Sequence, residues 1–172
     1  MASPEQPTVD ASSFEAMYRG EWRNLVAMAG ALLGDVEAGA DLAHEAMLRA
    51  YRDWAVVGTL DRPGAWVRRV LLNLCTDAVR RRSRERVVLQ RVARQQTVSG
   101  SPDHAINEFW TSVRGLPDRQ RAAVALRYID DMSIEEIAAV LEVTPGTVKS
   151  TLHAARASLA KRLGTAEVTD ER

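Results

Sequence analysis

The sequence predicts an all-α protein made of two small helical domains joined by a flexible linker. Three observations predict it. Apolar residues recur at three- and four-residue spacing in block after block, the period of helices with one buried face. No stretch of useful length alternates apolar and polar residues as a half-buried strand would. Between two such blocks Gln95, Gln96, Thr97, Ser99, Gly100, Ser101 and Pro102 accumulate, a linker composition. The expected layout is a disordered tail over 1–11, a first domain over 12–83, a linker over 84–104, a second domain over 105–164 and a tail over 165–172.

The first helix is expected to open at Ser12, where Glu15 completes a capping-box pattern. Phe14, Met17, Tyr18, Trp22, Leu25, Ala29, Leu32 and Leu33 then form a stripe that must pack on a neighbour, and Gly34 and Asp35 break it. A second helix runs to about Trp54, with Ala43, Ala46, Met47, Ala50, Tyr51 and Trp54 apolar on one side. Asp41, Glu45, Leu48 and Arg52, spaced by four, three and four, share its other side. Residues 56–62 read as a loop, and Pro63 suits the first turn of a third helix. That helix buries Trp66, Val67, Val70, Leu71, Leu74 and Ala78, and turns Arg69, Asn73, Asp77, Arg80 and Arg84 outward. In the second domain Ile106, Phe109, Trp110, Val113 and Leu116 keep helical register. A new helix starts at Pro117, with Ala122, Ala125, Leu126 and Ile129 as its candidate buried side.

Composition narrows the function classes. Over 172 residues the hydrophobic fraction is 46% and the charged fraction 27%, which suits a folded soluble chain. No apolar run approaches the roughly 18 residues of a membrane span, and residues 1–10 lack the pattern of a signal peptide, so a cytoplasmic protein without membrane insertion is expected. One cysteine, Cys75, and three histidines offer no disulfide and no metal cluster; neither metal nor cofactor is expected. The net charge is +0, but between residues 68 and 94 nine arginines face two acids, a local charge of +7, whereas the segment before it is acidic. Such asymmetry points to one surface for nucleic acid and another for a protein partner.

The most informative stretch is 133–163. Ser133 with Glu136 forms a capping box, and Ile134, Ile137, Ala138 and Leu141 give a short amphipathic helix. Glu142, Val143 and Thr144 make a tight connection, after which Thr144 caps and Pro145 opens the next helix. Two short helices so joined form a helix-turn-helix. With Val148, Leu152, Ala155, Leu159 and Leu163 inward, Lys149, Ser150, His153 and Arg156 share an outer face that fits a major groove. A helical hairpin with a merely solvated face is the competing reading. Likewise the Arg80, Arg81, Arg82 run, continued by Arg84 and Arg86, reads either as phosphate contacts or as a solvated helix end. Trp22, Tyr51, Trp54 and Trp66 lie on apolar stripes, as core residues more than as stacking platforms.

Three ordered segments, DLAHEAMLRAYRDW (41–54), PGAWVRRVLLNLCTDAVRRR (63–82) and LPDRQRAAVALRYIDDMSIEEIAAVLEVTPGTVKSTLHAARASLAKRL (116–163), resemble regions 2 and 4 of the extracytoplasmic-function sigma factors, most nearly the actinobacterial ones. The resemblance implies that the first domain docks on core RNA polymerase and melts the minus 10 element of a promoter, while the second reads the minus 35 element as duplex. It implies docking on the clamp helices of the polymerase largest subunit through Asp41, His44, Glu45, Leu48 and Arg52, with His44 standing where glutamine is usual. It implies minus 10 contacts by Asn73, which with the loop 57–62 would hold a flipped base, and by Arg69, Arg80, Arg81, Arg82 and Arg84. The loop lacks the aromatic often found there. It implies minus 35 contacts by Thr147, Lys149, Ser150, His153 and Arg156. Further implied partners are the flap of the second polymerase subunit and an anti-sigma factor.

Two other classes compete with this one. A free-standing helix-turn-helix regulator would bind duplex DNA without polymerase, usually as a dimer, and no dimerisation helix is evident. An enzyme is disfavoured: His44-Glu45 starts a zinc-protease motif, but Leu48 stands where the second histidine belongs, and Cys75 has no evident base.

Overall fold

Aspartate 35 explains the first corner of the fold. Its side chain accepts from the Ala38 amide at 3.0 Å and caps a helix immediately after Gly34, whose φ of +69° ends the preceding one. The computed structural model describes residues 11–89 and 104–164. Helix α1 spans Ala11–Leu33, α2 Val36–Arg52, α3 Trp54–Val57 and α4 Pro63–Leu89; α5 spans His104–Arg114, α6 Asp118–Tyr128, α7 Ile134–Leu141 and α8 Pro145–Leu163. No strand occurs among the described residues. The linker composition at 95–102 lies outside them.

Helices α1, α2 and α4 pack around Leu25, Met28, Ala29, Leu32, Ala43, Ala46, Met47, Ala50, Val67 and Leu71, all buried. The α1–α2 crossing is close because glycines meet there. A Cβ on Gly39 would lie 2.5 Å from the Gly30 nitrogen. In the second unit α6 runs through the middle, touching α5, α7, α8 and α1. Its Ala123, Val124, Ala125 and Leu126 are therefore all buried, with Val113, Leu116, Ile137, Val140, Val148, Leu152, Ala155 and Leu159 around them.

Several local expectations change. Helix α1 already contains Ala11 and Ser12, so Ser12 does not start it. The second helix ends at Arg52, and Asp53 leads into the separate turn α3, so the irregular segment is 58–62. Tyr51, expected on the buried side, is 50% exposed, because it falls one step of about 40° beyond Met47, at the edge of the buried arc of α2. Pro117 precedes α6 as its N-cap in extended conformation. Ala122 and Ile129 are only half-buried, and α4 continues to Leu89, beyond the point where its apolar period fades.

Candidate nucleic-acid interface

The helix-turn-helix forms as its local chemistry dictates. The Ser133 hydroxyl accepts from the Glu136 amide at 3.2 Å while Glu136 accepts from the Ser133 amide at 2.9 Å, closing the capping box. Those Ser133 donors hold the Glu136 carboxyl below its usual range. Helix α7 stops at Glu142, which takes the left-handed conformation at φ 53°. Thr144 then accepts from the Thr147 amide at 3.2 Å and Pro145 fills the first turn of α8. Val148, Leu152, Ala155 and Leu159 are buried under this helix and Leu163 is half-buried. Lys149, Ser150, His153 and Arg156 are exposed on one face, whereas Thr147 is half-buried beside the cap.

In the first unit, Asp41, His44, Leu48 and Arg52 are exposed along α2 and Glu45 is half-buried. Tyr51 extends this face, and so does Arg49, whose Nε donates to Glu45 Oε1 at 2.8 Å and lowers the carboxyl pKa. The sequence pattern places Tyr51 on the opposite, apolar side and leaves Arg49 unassigned, although both follow Leu48 within one turn. His44 stands edge-on to Trp22, with ring centroids 6.1 Å apart. The tryptophans serve the interior: Trp22 stacks on Tyr18, and Trp54 is buried, meets Phe14 edge-on and donates to Ser13 Oγ at 3.1 Å.

Helix α4 carries the basic face. Arg81 and Arg84 are exposed, and Arg82 reaches Leu33 O at 3.2 Å and Asp35 at 3.6 Å. Arg69, Asn73 and Arg80 line a cleft of about 700 Å³ together with Thr147 and Thr151 of α8. Gly58 and Arg62 line a second cavity together with Gly64 and Arg68 of α4.

Three charge arrangements are not legible in the sequence, two of them because their partners are distant in the chain. Arg121, buried at 5% exposure, donates to Arg114 O at 3.1 Å and Leu116 O at 3.3 Å and pairs with Asp118, satisfying the end of α5. Arg68 lies between Asp130 Oδ2 and Glu21 Oε2, each at 2.6 Å. Burial alone would lower its pKa, but the two carboxylates outweigh burial and raise it. Glu21 meets Arg68 as an ion pair. Arg114 donates to Ala31 O at 3.0 Å, and burial lowers its pKa. Cys75 is buried, which pushes its thiol up to about 12 and leaves no thiolate for nucleophilic use.

Two helical units, one ending in a helix-turn-helix with an exposed polar face and one carrying an arginine-rich helix, define a class of all-α DNA-binding protein. Comparison with known proteins refines the class. Residues 17–85 match the family described as Sigma-70 region 2, and residues 106–159 match Sigma-70, region 4. The RNA polymerase sigma-E factor of Streptomyces coelicolor is 34% identical over 151 residues, covering 87% of this chain and 85% of that protein. The ECF RNA polymerase sigma factor SigW of Bacillus subtilis is 30% identical over 147 residues, covering 77% and 79%. A solved structure of the sigma factor RpoE with the anti-sigma factor NepR from Bartonella quintana superposes with a TM-score of 0.71. At 22% identity, over 91% of this chain and 100% of that one, it shares the fold. The chain belongs to the sigma-70 family of RNA polymerase sigma factors, in the extracytoplasmic-function group.

Proposed function

We propose that this chain binds core RNA polymerase and directs it to specific promoters, melting the minus 10 element and reading the minus 35 element, without chemistry of its own. The observation that carries this reading is the order of the two units: region 2 with its basic α4, then region 4 with an exposed α8 face. In it the exposed side of α2, with Asp41, His44, Glu45, Leu48 and Arg52, meets the clamp helices. Asn73 and the arginines of α4, Arg69, Arg80, Arg81, Arg82 and Arg84, take the melted strand. Thr147, Lys149, Ser150, His153 and Arg156 take the minus 35 duplex, with region 4 resting on the polymerase flap. No helix among the described residues is long and apolar enough to cross a membrane, in keeping with action in the cytoplasm. The structure of a relative solved with an anti-sigma factor supports a similar partner here.

The test is reconstitution. The purified chain with core polymerase should give discrete run-off transcripts from a subset of a genomic promoter library. Silence across the whole library would refute the proposal. A specific gel shift without core polymerase would instead favour a free-standing regulator.

A further inference from the structure

Of the arginines assigned above to the melted strand, Arg82 stands on the other side of α4. At about 100° per residue it lies about 160° around the helix from Arg80 and Arg84, and about 180° from Asn73. It extends instead the packed stripe of Leu71, Cys75 and Ala78, at steps of four, three and four. Leu71 and Cys75 are buried in the bundle. At Arg82 the stripe reaches the place where α1 ends.

That helix end is short of donors. Gly34, at φ +69°, turns the chain out of α1, and its amide and that of Asp35 both go to Gly30 O, at 2.8 and 3.3 Å. The later carbonyls of α1 must look elsewhere. Arg82 Nη1 donates to Leu33 O at 3.2 Å, and Nη2 lies 3.6 Å from Asp35 Oδ2. The other oxygen of that carboxylate, Oδ1, accepts from the Ala38 amide and caps α2. One guanidinium thus serves the last residue of α1 and the cap of α2. Arg81, by contrast, is exposed about 60° from Arg84.

We propose that Arg82 is a positioning residue and not a DNA contact: it fastens the arginine-bearing end of α4 to the corner from which α2, the clamp-docking helix of the reading above, sets out. The inference rests on the assignment of α4 to the melted strand, and removes one arginine from that contact. A cation is favoured at the carbonyl end of a helix, and a guanidinium donates to two acceptors at once. Arg82 and Asp35 are 43% and 47% exposed, so their ion pair adds little and the bond to Leu33 O carries more. The gain is in direction. Arg80, Arg81 and Arg84 keep fixed places relative to α2, so a strand held by α4 is held at a set distance from the polymerase.

The test sets Arg82→Ala beside Arg81→Ala. Promoter affinity of the reconstituted holoenzyme is measured against salt, and amide hydrogen exchange on the free chain. Arg81→Ala should reduce the slope of log affinity against log salt by roughly 0.7, for one single-strand phosphate contact. Arg82→Ala should leave the slope unchanged, lower affinity roughly two- to fivefold on every promoter, and speed exchange at 30–38 but not in α7 or α8. Arg82→Gln, which keeps a donor for Leu33 O but has no charge for a phosphate, should recover part of both losses. A slope reduced by Arg82→Ala would make Arg82 a phosphate contact and overturn the proposal, as would unchanged affinity or unchanged exchange at 30–38. An unchanged slope in Arg81→Ala as well would overturn the assignment of α4 to the strand, and this inference with it.

Discussion

Gly39→Ala and Gly20→Ala should move stability in opposite directions, although both put the same methyl group into a helix. At Gly39 the new Cβ would meet the Gly30 nitrogen at 2.5 Å, the Gly30 Cα at 2.8 Å and the Ala29 carbonyl carbon at 2.9 Å. All three are backbone atoms, so no rotamer change relieves the overlap. To reach the 3.4 Å at which ordinary contact begins, α1 and α2 must part by about 0.9 Å, loosening the packing of Leu25, Met28, Ala43 and Met47. Overpacking costs about 1–3 kcal/mol, offset by about 1 kcal/mol from alanine's better helix propensity. The net is a loss of up to about 2 kcal/mol, a fall in melting temperature of up to roughly 15 °C for a unit of this size. At Gly20 nothing lies within 4 Å of the new Cβ. Only the propensity gain remains there, about 0.5–1 kcal/mol. Thermal and urea unfolding of the full chain, followed by circular dichroism, would check both. A Gly39→Ala chain as stable as the parent, or shifts of the same sign at both sites, would refute the close-crossing argument. Because α2 also carries the proposed clamp-docking face, Gly39→Ala should weaken core-polymerase affinity and Gly20→Ala should not.

Three further expectations follow from the same structure. Arg80→Ala with Arg81→Ala should weaken holoenzyme binding on all promoters and reduce the slope of log affinity against log salt by roughly 1.4, for two single-strand phosphate contacts; a promoter-selective loss would contradict that role. Lys149→Ala should lower discrimination between an intact and a scrambled minus 35 element in competition footprinting, and an equal loss on both would count against a reading role. The Ser133 donors hold Glu136 below its usual pKa of 4.5, so the carboxylate contributes stability above about pH 4.5 that fades as pH falls through the lowered value. Glu136→Gln should flatten that acid limb in urea titrations run at several pH values, whereas an unchanged limb would show that the capping box does not supply it.

The surfaces differ in how far sequence reasoning could reach them. The outer face of α8 is legible because Val148, Leu152, Ala155 and Leu159 set the buried side at helical period, leaving Lys149, Ser150, His153 and Arg156 nowhere else to point. Arg69, Asn73 and Arg80 obey the same periodicity on α4, yet they line a cleft bordered by α8, with Asn73 and Arg80 still exposed in it. Periodicity says which side of a helix is polar. It does not say whether another unit lies against that side.

By itself the sequence determined the all-α class, the helix-turn-helix and its caps. Ser133 with Glu136 and Thr144 with Pro145 act over three residues or fewer, a range at which the chain has few alternatives. Tertiary structure alone decided that Gly39 touches Gly30, that α6 is buried almost all round, and that Arg68, Arg69 and Arg80 find carboxylates 38 to 73 positions away. A charged side chain takes as its partner whatever acceptor the packed units bring within reach, and that choice is made by the non-local apolar contacts that bring them together.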